Sequence, residues 1–154
     1  MNTLKFQTDI NAPREQVWNA LWDQNNYRQW TEPFNVDAAH QSQLQGELKQ
    51  GNEIQFMGDR DNGMYAQVET LKPNEEMKFR HMGEIKAGQR LEPANAAKGM
   101  GTECYRLTER NGKTHLEVDV DAPNAMTDQI RSAFPQALAR VKTIAETQTK
   151  NQKH

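Results

Sequence analysis

INAPREQVWNALWDQNNYRQWT, residues 10–31, is the stretch from which the architecture is read. Ala12-Pro13 closes an extended segment and opens a helix. Proline at a first helical position costs little, because that N–H has no intrahelical partner in any case, and Glu15 in the first turn suits the helix dipole. Val17, Trp18, Leu21 and Trp22 recur at three- and four-residue spacing, so Pro13 to about Asp23 is expected to form an amphipathic helix. A second short helix is expected over Asn25 to Trp30, with Tyr27 and Trp30 on its inner side.

Upstream, Leu4, Phe6 and Ile10 share one parity, the period-2 pattern of a strand with one buried face. Downstream, residues 34 to 120 lose the helical spacing. Apolar residues alternate, and turn signals recur at Lys49-Gln50-Gly51-Asn52, Asp59 to Gly63, Lys72-Pro73-Asn74 and Arg110-Asn111-Gly112-Lys113, which predicts a meander of antiparallel strands. The expected strands are Glu53 to Met57, Met64 to Leu71, Met77 to Met82, Thr102 to Glu109 and Thr114 to Asp121. In the last, Leu116, Val118 and Val120 face inward, and Glu117, Asp119 and Asp121 face water. AGQRLEPANAAKGM, residues 87–100, is rich in small residues and too long for a tight hairpin, so a mobile loop that gates a ligand is expected there. Ile130, Phe134, Leu138, Val141 and Ile144 then mark one stripe of a helix from Ala125 to about Thr147. Pro135 lies inside it and predicts either a kink near Arg131 or a helix that restarts.

Composition limits what such a domain does. The chain of 154 residues has room for one domain of ordinary size, expected over 1–148 with a solvated tail at 149–154. With 19 basic and 21 acidic side chains, it lacks the positive excess that phosphate-backbone binding requires, so nucleic acid is not expected as a partner. The low mean hydropathy of -1.00 comes largely from 13 Asn and 15 Gln, not from charge runs, and the chain is expected to fold. A lone Cys104 rules out an internal disulfide and a Cys-rich zinc site. No stretch approaches the ~20 apolar residues of a membrane span, and MNTLKFQTDI alternates where a signal peptide would be continuously apolar. The expectation is a soluble cytoplasmic protein.

The opening motif resembles that of the Bet v 1-like (START-related, SRPBCC) superfamily, especially the branch named after the activator of Hsp90 ATPase. The matching positions are Ile10, Ala12, Pro13, Val17, Trp18, Leu21, Asp23 and Trp30. GELKQGNEIQF (46–56) and VETLKPNEEMKFR (68–80) resemble that branch's strand-turn-strand and strand-Pro-strand segments. AFPQALARV (133–141) is similar to its closing helix, with Phe134 where the family usually has Trp. The resemblance runs from about Leu4 to Ile144 and implies an α+β helix-grip fold. In that fold a curved antiparallel sheet wraps a long C-terminal helix, with two short helices after the first strand and often an apolar cavity between sheet and helix. The superfamily spans lipid carriers, hormone receptors, polyketide cyclases and cochaperones, so activity follows only by analogy.

Within such a cavity the alternation places His81 on the parity of Met77 and Phe79, and Glu103 on that of Tyr105 and Leu107. An imidazole and a carboxylate would then point into one apolar space, able to orient a ligand or transfer a proton. The alternative is that both sit in water at the end of the sheet. Trp18 and Leu21 are expected to pack under the sheet. The candidate ligand-binding set is Trp30, Phe56, Met77, Phe79, His81, Glu103, Tyr105, Val118, Phe134 and Leu138. Six methionines, Met57, Met64, Met77, Met82, Met100 and Met126, suggest an adaptable wall. The four histidines are scattered, so neither a metal site nor a cofactor is expected, and Cys104 on the opposite parity is read as a structural thiol. The expected function is binding of a small apolar or amphipathic molecule. A cyclase- or hydratase-like enzyme using His81 and Glu103 is one alternative, and a cochaperone-like protein-interaction module is another.

Overall fold

The structure, a computed structural model, describes residues 2–34, 43–58, 61–91, 101–122, 124 and 127–152. Strand β1 (Asn2–Ile10) leads into helices α1 (Arg14–Trp22) and α2 (Gln24–Trp30) and a single 3-10 turn, Glu32–Phe34. Then come β2 (Gln43–Gln45), β3 (Glu53–Met57), β4 (Gly63–Lys72), β5 (Glu76–Lys86), β6 (Gln89–Leu91), β7 (Thr102–Arg110), β8 (Lys113–Ala122) and α3 (Thr127–Gln152). All the strand pairs are antiparallel, in the order β1-β8-β7-β5-β4-β3-β2, with β6 continuing beside β5. The sheet grips α3, and this is the helix-grip fold.

The two short helices are joined by one residue. Asp23 ends α1 and caps α2, its carboxylate accepting from the backbone N–H of Asn25 (3.1 Å) and Asn26 (3.2 Å), which satisfies donors that a helix start otherwise leaves open. Pro13 has no capping side chain. Instead the Arg14 N–H donates to Glu109 of β7 at 2.7 Å, so the start of α1 is tied directly to the sheet. Asn111 and Gly112 both take positive φ, 55° and 77°, as the tight hairpin between β7 and β8 requires.

Several expectations need correction. Trp18 is only half-buried, whereas Trp22 is buried in the main core. Helix α3 neither restarts nor ends at Pro135. The pyrrolidine ring is exposed, while Ala133, Phe134, Ala137 and Leu138 around it are buried, and that packing overrides the missing hydrogen bond. The buried stripe also uses Ala133, Ala137 and Ala145, small residues that admit a close approach, and Ile130 and Ile144 are half-buried beside them. The helix continues to Gln152, past the expected tail boundary at Thr149, and Gln148 links it to Asn26 (3.1 Å) and Asn19 (3.3 Å). The expected loop from Ala87 begins as a hairpin, with Ala87 (φ 51°) and Gly88 (φ 76°) turning the chain into β6; residues 92–100, where the rest of the expected gate falls, lie outside the described residues. The expected turn at Asp59 falls partly outside them as well.

The convex face is a lattice of charges. Arg106 reaches Asp119 (2.8 Å) and Glu117 (3.4 Å), and Glu69 holds Arg80 (2.5 Å) and Lys78 (3.6 Å). Cys104 lies on this face, buried, with its thiol pKa pushed up chiefly by burial, so it is not an activated nucleophile. His115 lies between Asp9 (2.6 Å) and Glu117 (3.3 Å), and its pKa is raised, first by the hydrogen bond with Asp9. A raised folded-state pKa means that the protonated ring stabilises the fold. That contribution is complete below the ordinary histidine value of about 6.5 and is lost as pH climbs through the raised value. The wild type is therefore expected to exceed His115→Gln in urea midpoint at about pH 6, and to lose that margin by about pH 9. Equal midpoints throughout would show that the two acidic neighbours do not act on this ring.

Candidate functional site

A cavity of about 420 Å³ opens between the sheet, α2 and α3. Its wall is largely aromatic: Tyr27 and Trp30 from α2, Phe34, Phe56 from β3, Tyr105 from β7 and Phe134 from α3. These rings hold one another edge-on or tilted, as in Tyr27–Trp30 (5.3 Å), Phe34–Phe134 (5.1 Å) and Tyr105–Phe134 (6.5 Å), while Phe134 stacks on Phe6 at 4.8 Å. Trp30 is fixed from behind, its indole N–H donating to the Leu21 carbonyl at 2.9 Å.

One polar cluster interrupts this wall. His81 Nε2 lies 3.2 Å from Glu103 Oε1, and the Tyr105 hydroxyl donates to Glu103 Oε2. The register explains the meeting. Phe79 pairs with Glu103, and the His81 N–H donates to the Gly101 carbonyl (2.9 Å), so His81 and Glu103 are diagonal neighbours on the concave face. His81 is only 8% exposed, and its Nδ1 is buried without a partner among the described residues. Burial first, and then the Glu103 charge, push the Tyr27 and Tyr105 hydroxyls well above the ordinary tyrosine range, so both remain donors at neutral pH. Among the described residues no three His, Cys, Asp or Glu side chains gather as a metal site.

Of the residues singled out from the sequence, Trp30, Phe56, His81, Glu103, Tyr105 and Phe134 meet around the cavity. Met77, Phe79, Val118 and Leu138 do not line it; they are buried in the packed core beneath. The candidate set left out Tyr27, Thr31, Phe34, Gly63, Glu84, Val120, Asp121 and Ile130, and held Met64 only as part of the methionine wall. Glu84 has a definite cause. Tyr65 pairs with Gly83 and Ala66 with His81, so Met82 is an extra residue that bulges out of β5. The bulge reverses parity, placing Glu84 opposite Met64 at the cavity and leaving Ile85 with Met57, Tyr65 and Met82 in a second small cluster. Unbroken alternation from Phe79 and His81 would have put Gly83 and Ile85 inside.

Solved structures share this architecture. The dynemicin-locus protein DynU16 is 16% identical over 97% of this chain, with a TM-score of 0.68, and this chain spans 49% of its length. The Aha1 dimer from Colwellia psychrerythraea is 16% identical over 95% of this chain and 97% of that one (TM-score 0.66). Protein NE0264 from Nitrosomonas europaea is 10% identical over 95% of each (TM-score 0.71). At these identities the likeness concerns the fold. No curated protein matches the chain. A family does match, over residues 11–146, which run from α1 through β8 and take in most of α3; the chain belongs to the family described as Activator of Hsp90 ATPase homolog 1-like protein.

Proposed function

We propose that this protein binds a small apolar or amphipathic molecule in the cavity between the sheet and α3, as a cytoplasmic ligand-binding domain. The observation that carries this reading is the cavity of about 420 Å³, a volume in the range of small-molecule sites, with an aromatic wall and few polar groups. No described helix is long and apolar enough to cross a membrane, which fits a ligand taken up from solution. The test is titration with the neutral fluorophore phenylnaphthylamine. Saturable binding with a blue-shifted emission is expected, weakened about tenfold by Phe134→Ala, because that ring forms part of the α3 side of the wall. Absence of saturable binding by the wild type would overturn the reading.

A second reading has one observation behind it. The contact between His81 and Glu103 is a proton-transfer geometry and favours a cyclase- or hydratase-like step on the bound molecule. It would show as turnover of a bound ligand, abolished by His81→Phe with binding retained. The cochaperone-like reading rests on the family description alone; among the described residues Leu91 is the exposed large hydrophobic side chain, which is less than a docking patch requires.

A further inference from the structure

The charge pattern of the cavity narrows the ligand class. Its described lining contains three carboxylates, Glu84, Glu103 and Asp121, and no Lys or Arg. Two of these are already occupied. Asp121 accepts from Thr3 Oγ1 (2.7 Å) and from the Thr102 N–H (3.0 Å) and Oγ1 (3.2 Å), and Glu84 pairs with the exposed Lys86 at 3.5 Å. Glu103 differs, because its described partners are a phenol and an imidazole, with no guanidinium or ammonium group among them. Its side chain is 19% exposed. Around this carboxylate stand the aromatic side chains of Tyr27, Trp30, Phe56 and Tyr105.

Each of these features favours the same charge. Aromatic faces attract cations, a half-buried carboxylate with no Lys or Arg beside it favours a cationic group, and both would repel an anionic headgroup. The upward push that Glu103 exerts on the Tyr27 and Tyr105 hydroxyls is the same negative potential acting on its neighbours. We infer that the ligand is an apolar amine bound as its ammonium form, with the cation beside Glu103 and the hydrocarbon part against Trp30, Phe56 and Phe134. This rests on the ligand-binding reading above and goes beyond it by assigning the charge and the orientation of the bound molecule.

The experiment compares naphthylethylamine, naphthylethanol and naphthylacetate, which share an apolar body and differ in charge, by calorimetric titration of the full chain at neutral pH. The amine is expected to bind about tenfold more tightly than the alcohol, and the carboxylate most weakly of the three. In Glu103→Gln the preference for amine over alcohol is expected to shrink to about threefold or less. Should that variant fail to fold by circular dichroism, Trp30→Leu, which removes a π face and keeps an apolar side chain, is expected to lower the same ratio. If the alcohol or the carboxylate binds as well as the amine, the inference is overturned while the ligand-binding reading stands. If none of the three binds, the inference falls, and the phenylnaphthylamine titration decides whether the ligand-binding reading falls with it. An amine preference that survives Glu103→Gln and Trp30→Leu unchanged also overturns it, because the cation would then be held elsewhere.

Discussion

Trp22→Ala is expected to remove about 3–5 kcal/mol of stability, the range for truncating a large aromatic side chain in a packed core. Trp22 sits at the centre of the aromatic lattice, with ring centroids 5.0 Å from Tyr105, 5.4 Å from Phe79, 6.2 Å from Trp18 and 6.4 Å from Trp30. Each contact is edge-on, so deletion leaves a void bounded by rings that cannot all tilt inward together. The loss is local in sequence and wide in consequence, because Trp22 joins α1 to β5 and β7 and supports the Trp30 ring at the cavity. Trp22→Phe should cost less than half as much. It keeps an aromatic ring in place and removes an indole N–H that has no acceptor among the described residues, relieving one unsatisfied donor. Trp18→Ala, at a half-buried position, should fall below Trp22→Ala. Urea titrations of the three variants decide it; a Trp22→Ala loss within about 1 kcal/mol of zero would mean that the lattice collapses without a void.

Gly63→Ala is expected to cost about 3 kcal/mol, at the upper end for overpacking, because the neighbouring atoms that crowd this position belong mainly to the backbone. A methyl group at Gly63 would come to 2.2 Å from the Phe56 carbonyl oxygen and 2.8 Å from the Met57 Cα. Gly63 pairs with Met57 on one side and Ile85 on the other, and it lines the cavity. Accommodating a methyl therefore requires β3 to move away from β4, carrying Phe56 with it. The expected signature is a drop in urea midpoint together with weakened phenylnaphthylamine binding. Wild-type stability and affinity in this variant would show that β3 is loosely held and that the close approach at Gly63 is not needed to shape the cavity.

Much of the fold was legible because its signals are local. The spacing of Val17, Leu21 and Trp22 needs only the helical period, and Asn111-Gly112 needs only a turn that accepts two positive φ values. The alternation in β1 and β8 reads correctly as far as Val120 because these two strands pair without interruption from Asn2↔Ala122 to Ile10↔Thr114; Asp121, expected to face water, borders the cavity at the end of β8. The family resemblance added the order in which such pieces assemble.

The site was legible in part, for the same physical reason. His81, Glu103 and Tyr105 lie on the near side of the β5 bulge, where parity still holds, so their shared face follows from alternation. Their contact does not, since it depends on the register of β5 against β7, and inter-strand register is a long-range property. Beyond Met82 the count of residues no longer tells which face a side chain takes, and Glu84 is placed by pairing with Met64. The same holds for Phe79 and Val118, whose inward direction was readable but whose depth was not: sheet curvature and the position of α3 put them beneath the cavity floor instead of on it. Pro135 inside α3 is the clearest conflict between levels. Local propensity opposes a helix there by about 3 kcal/mol, and burial of Phe134, Leu138 and Val141 against the sheet outweighs it. Elements whose stability rests on nearest neighbours were determined by the sequence alone; which side chains share the cavity, and where a period breaks, was decided by the packing of distant segments.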